Sequence, residues 1–152
     1  MKKKLLLSVL VYLLSVNLFA QNAGINPDGS NLAPSWLWAK QAGGPGEVAP
    51  WTEMGISADA EGNTYITGSF TGTFSFPTLP AQTLLTSEGD ADIFIAKYDA
   101  SGNVLWAKRA GGSKVDAANS LKYDGFGNIY VVGSFTESAN FGNIILTNPI
   151  EG

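Results

Sequence analysis

Three aspartates recur in one spelling. Asp59, Asp99 and Asp124 each open an Asp-x-x-Gly-Asn stretch that ends at Asn63, Asn103 and Asn128. Repeated carboxylates can serve glycoside cleavage or calcium binding, and each chemistry demands an arrangement. Glycoside cleavage needs two carboxylates facing one another across a cleft, and no spacing here selects such a pair. Asp90 and Asp92 lie two apart, but the Asp-x-Asp-x-Asp-Gly loop that wraps calcium in oxygen ligands is missing. The repeated aspartates read as turn residues, because Asp accepts hydrogen bonds from amides just ahead of it while Gly and Asn tolerate left-handed backbone. The sequence has no histidine and no cysteine. Serines therefore lack an imidazole partner, and the usual general base and metal ligand is absent. Thiolate zinc sites, disulfides and lipid attachment at cysteine are excluded too. The expectation is no catalytic residue, no metal site and no cofactor. Trp51 is the one candidate contact for a ligand or partner. It lies in the loop 43–54, whose later counterpart, 111–119, has no aromatic residue. An exposed Trp there can stack on a sugar ring or anchor a protein; folded back, it would cover the edge of the first sheet.

The elements that position these residues are written in repeats. WAKQAGG at Trp38–Gly44 returns as WAKRAGG at Trp106–Gly112, and DAEGNTYITGSF at Asp59–Phe70 as DGFGNIYVVGSF at Asp124–Phe135. Trp38 and Trp106 are 68 residues apart; Asp59 and Asp124, and Phe76 and Phe141, are 65 apart. Drift of this size, confined to Gly- and Pro-bearing segments, is what insertions in surface loops produce. Within one repeat the apolar pattern predicts four strands, 56–58, 64–70, 93–98 and 104–109, with a weak strand at 83–86 in the longer connection 71–90. Ile93-Phe94-Ile95-Ala96 is apolar without alternation, so a strand buried on both faces is expected. Ahead of the first full repeat lies a lone strand at 36–40. After it come strands at 120–123 and 129–135, and a segment 141–147 that resembles the one holding Phe76, Leu84 and Leu85. Gly68 and Gly133 sit inside strands at equivalent positions, which points to close approach of a neighbouring sheet or to a bulge. Four short antiparallel strands in a repeat of this length, punctuated by Gly and Asp turns, describe a blade of a β-propeller.

The first twenty residues read as a secretory signal peptide. Lys2, Lys3 and Lys4 precede the apolar run Leu5–Leu14, and Leu18-Phe19-Ala20 offers a cleavage site ahead of Gln21. The run is shorter than the ~20 residues a membrane span needs, so no stable span is expected after processing. Residues 21–35, rich in Asn, Gly, Pro and Ser, read as a flexible lead-in, and 36–152 as a partial repeat domain. Three of the nine basic residues lie in the signal; the remaining six face thirteen acids, a net charge of −7. Such a chain has no field for phosphate backbones, which excludes nucleic acid as an expected partner.

The chain resembles the SBBP-type β-propeller repeat of secreted and surface bacterial proteins. The resemblance rests on D-x-F-I-A-K-Y-D at Asp92–Asp99, G-N-x-L-W-x-K at Gly102–Lys108, A-G-G at Ala110–Gly112 and D-x-x-G-N-x-Y-V-x-G-S-F at Asp124–Phe135, over about residues 36–147. It implies an all-β ring of blades rather than a particular chemistry. One blade would be complete (56–109), flanked by parts of two others, so the expectation is a fragment whose missing blades are natural partners. Function is then expected to be that of a secreted or surface scaffold binding an unknown protein or glycan, without catalysis. The alternatives are a non-catalytic piece of a secreted polysaccharide-active enzyme, or a truncated product without function.

Overall fold

The computed structural model describes residues 16–22, 35–44, 47–48, 53–77 and 81–149, which form strands and turns with no helix among them. In chain order the strands are β1 (Val16–Asn22), β2 (Ser35–Ala42), β3 (Glu47–Val48), β4 (Gly55–Ala58), β5 (Thr64–Thr71), β6 (Thr73–Pro77) and β7 (Gln82–Thr86). They continue as β8 (Asp92–Tyr98), β9 (Val104–Ala110), β10 (Ala117–Tyr123), β11 (Ile129–Ser134), β12 (Ser138–Phe141) and β13 (Ile144–Thr147). The chain is all-β, built from several small antiparallel sheets.

The four strands expected of one repeat form a single sheet in the order β4-β5-β8-β9, with β3 added beside the far end of β5. Sequence chemistry accounts for the two central strands. β8 is buried on both faces, as its unbroken apolar run requires, and β5 is buried from Tyr65 to Phe70. Buried Thr67 is accommodated because its hydroxyl donates to the Phe94 carbonyl oxygen at 2.7 Å.

The segment 71–90 holds more structure than the weak strand read from it. Phe74 and Phe76 alternate with Thr73 and Ser75, a period of two, and β6 pairs with β7 as a hairpin. Pro77, which with Pro80 suggested a connection, is the last residue of β6, and Pro80 lies outside the described residues. The hairpin folds its aromatic face onto the sheet. Phe70, Phe74, Phe76 and Phe94 are fully buried, with Phe94 centred 5.4–6.3 Å from the other three rings. Ala42, Ile66, Leu85, Ala96, Tyr98 and Val104 complete this core, and Trp38 packs against it.

A second copy follows in space as well as in sequence. β10-β11 repeats the pairing of β4-β5, and β12-β13 that of β6-β7. The isolated bridge Gly43↔Ser75 recurs as Gly111↔Asn140. β10 packs beside β4 and β5, and Ile93, Ala110 and Ala118 form a smaller core at that junction.

The two strand glycines differ from each other. A Cβ on Gly68 would lie 2.9 Å from the Phe94 ring and 3.2 Å from Met54, so the close neighbour is an aromatic on the paired strand of the same sheet, rather than a second sheet. Gly133 instead lies opposite a register shift between Ala118 and Ser120, the bulge alternative.

β1 pairs antiparallel with β2 and crosses the expected cleavage point. Gln21 and Asn22, read as part of the lead-in, are its last two residues, opposite Trp36 and Ser35. The rest of the expected signal and lead-in, 1–15 and 23–34, lies outside the described residues.

Candidate functional site

The three Asp-x-x-Gly-Asn turns are alike. In each, the first carboxylate accepts from the Asn backbone N–H (2.8, 2.8 and 3.1 Å for Asp59, Asp99 and Asp124) and from the Asn side-chain amide (2.8, 3.0 and 2.7 Å). All three aspartates titrate below the ordinary carboxylate range. At Asp99 and Asp124 the hydrogen bonds from Asn103 and Asn128 are the leading cause. At Asp59 burial opposes the shift, but hydrogen bonds from Asn63 and the Tyr65 hydroxyl, with Lys97 3.9 Å away, outweigh it. These carboxylates are engaged in holding their own hairpins.

A different carboxylate cluster lies where the full sheet meets the second copy. Asp92 and Asp116 are both fully buried. Asp92 Oδ2 accepts from Arg109 and from the Glu88 N–H at 3.0 Å, and Arg109 also donates to Glu88 at 2.8 Å. Asp116 accepts from the N–H groups of Gly112 (2.6 Å) and Thr136 (3.1 Å), while its own N–H donates to the Ala91 carbonyl oxygen at 2.7 Å. The two carboxylates converge on Gly111, whose φ of +142° and surroundings suit glycine alone. A Cβ there would lie 2.7 Å from Asp92 Oδ1 and 2.8 Å from Asp116 Oδ2. Burial, reinforced by the charge of Asp92, pushes the Asp116 carboxyl upward. Asp92 Oδ1 is buried with no hydrogen-bond partner. Asp90, its expected neighbour in an oxygen-rich site, is exposed, and among the described residues no three His, Cys, Asp or Glu side chains gather as metal ligands.

Sequence reasoning passed over Asp116 and Arg109, although the repeat held a signal. Arg109 stands where the first copy has Gln41, and Asp116, eight residues before Asp124, stands where Trp51 precedes Asp59. The charged cluster is therefore written once. Trp51 itself lies outside the described residues.

A third feature is apolar. A cleft of about 320 Å³ opens between the sheet and the second copy, lined by Ile93, Ile95 and Ala110 of the sheet and by Val131, Gly133, Phe135, Phe141 and Leu146 of the second copy. At one end of the molecule two equivalent tryptophans differ in surroundings. Trp38 stacks on Tyr98, with 6.4 Å between ring centroids, and its indole N–H donates to the Ala100 carbonyl oxygen at 3.0 Å. Gly102, at φ +77°, passes beneath it, where a Cβ would lie 2.7 Å from the indole. Trp106 is half-buried, tilted against Tyr65 with Lys108 over its ring.

Comparison with known proteins adds one likeness. No family model matches the chain. A stretch of 55 residues, 36% of the chain, is 42% identical to a protein of Acanthamoeba polyphaga mimivirus described as "Uncharacterized WD repeat-containing protein L264". The matched stretch spans 4% of that protein, so the likeness is to a short segment of a far longer chain.

Proposed function

We propose that the chain is a β-propeller repeat module, one full blade with parts of two neighbours, that acts as a non-catalytic scaffold for binding a protein or glycan. The observation that carries this reading is the recurrence in space of turn, bridge and hairpin at matched positions, Gly43↔Ser75 with Gly111↔Asn140 above all. A unit of this kind buries its apolar faces against neighbouring copies and presents loops at its ends. The likeness to a WD repeat-containing protein supports the same class. The turn aspartates support it too, since their oxygens serve the hairpins. Export by the signal peptide belongs to the same proposal, with a secreted or surface location and an SBBP-like repeat type.

The test pairs binding with turnover. The purified chain is applied to glycan and protein arrays and, in parallel, incubated with a panel of polysaccharides. Saturable binding without product release is expected; release of sugar from any polymer would replace this reading with an enzymatic one.

A further inference from the structure

The cleft between the sheet and the second copy repeats most of the seat of Phe94. In the full repeat, Phe94 packs against the Phe74 ring, whose counterpart in the second copy is Ala139, and shares its core with Ala42, Ile66, Gly68, Phe70, Phe76 and Leu85. Carried forward by the 65–68-residue repeat and the hairpin registers, those positions are Ala110, Val131, Gly133, Phe135, Phe141 and Leu146. These six residues line the open cleft. Phe135 and Phe141 already stand edge to face, 6.4 Å apart, with no third ring between them. Beside the cleft, among the described residues, β11 pairs with β10 alone, whereas its counterpart β5 has β8 along its other edge. Trp106, the counterpart of Trp38, lacks the Tyr-Asp-Ala-Ser-Gly turn that Trp38 covers.

We propose that this cleft, the free edge of β11 and Trp106 together form a docking site for a β-hairpin of the Asp92–Ala110 type. The hairpin would come from a further repeat of the same module. Its first strand adds to β11, its Phe fills the cleft, and its turn passes under the Trp106 indole with glycine at the closest point. Strand addition supplies backbone hydrogen bonds, and the ring pocket supplies selectivity. A second copy of this chain is the poorer occupant, because its own hairpin is held between β5 and the Phe74 and Phe76 rings.

This inference rests on the repeat-module reading, and its test separates the two. The full 152-residue chain, methyl-labelled, is titrated with a synthetic peptide of the Ala91–Gly111 sequence and followed by calorimetry and by NMR. Saturable one-to-one binding is expected, with shifts at the Val131 and Leu146 methyls. Peptides carrying Phe94→Ala or Gly102→Val, neither of which touches the folding of the chain, should bind at least tenfold more weakly. On the chain, Trp106→Ala should do the same. Absence of saturable binding, equal binding by the Phe94→Ala peptide, or a peptide-free dimer that shields the same methyls would each overturn the proposal. Amide protection of β5 and β8 in the same sample decides what else falls. A protected sheet that binds nothing rejects the docking site alone, and an unprotected one rejects the module as well.

Discussion

Tyr98 shows how a single buried side chain ties the fold to pH. It is almost fully buried against Trp38, and burial pushes its phenol up from 10.0 to about 12. Above pH 10 the unfolded chain ionises at this residue while the folded chain stays neutral, so stability falls with rising pH until the folded phenol ionises too. Tyr98→Phe should remove that alkaline loss. At neutral pH it should change stability by no more than about 1 kcal/mol, the scale of one hydrogen bond; urea titrations at pH 8 and pH 11 check both. The turn aspartates have the opposite sign. Their lowered values contribute stability that is present above the ordinary 3.8 and lost as pH falls through the folded values. Asp116 is raised, so its contribution weakens as pH climbs from 3.8 through its folded value. Arg109 matters because Asp92 is buried. Arg109→Ala would leave that carboxylate uncompensated and should cost about 3 kcal/mol, at the lower end for broken buried pairs because Arg109 is partly exposed. Lys114→Ala, which breaks an exposed pair with Glu137 at 3.8 Å, should cost under about 1 kcal/mol in the same denaturation assay.

Within the elements, equivalent positions should differ in energy because they differ in burial. Phe94→Ala empties the centre of the aromatic cluster and should cost about 3–5 kcal/mol. Phe141 stands in the second copy where Phe76 stands in the first, yet it is 37% exposed while Phe76 is fully buried. Phe76→Ala should therefore cost several times more than Phe141→Ala, by chemical denaturation of the two variants. Gly68→Ala drives a methyl into the pinned Phe94 ring, an overpacking worth about 1–3 kcal/mol. The strands of the full sheet were legible in the sequence because its apolar runs are short, bounded by Asp-x-x-Gly-Asn turns and, apart from β8, present twice. β6 was less legible, since prolines at 77 and 80 obscured the alternation of Phe74 and Phe76. β3 is two residues long and pairs by backbone with Thr71 and Phe70, which no periodicity announces. The buried carboxylates were hidden for another reason. Asp92 reads as a polar strand end, and only tertiary contact places Arg109, Gly112 and Thr136 around this pair.

For the molecule as a whole, the distribution of exposed apolar surface follows the repeat. Tyr130, Val132 and Leu146 are open on the second copy, while their counterparts Tyr65, Thr67 and Leu85 are buried. Processing would alter the other end. Removal of residues 1–20 would leave Gln21 and Asn22 as the only partners of β2 from β1, so β2 amides should exchange faster in a 21–152 product than in the full chain. One sheet joins β4, β5, β8 and β9, and β10-β11 repeats two of its strands. Residue-resolved hydrogen exchange on the full chain tests this arrangement most directly. The slowest amides should lie in β5 and β8, with those of β11–β13 exchanging markedly faster and slowing when the Ala91–Gly111 peptide is added. Uniform protection from β4 through β13, or slow exchange confined to β11–β13, would contradict it.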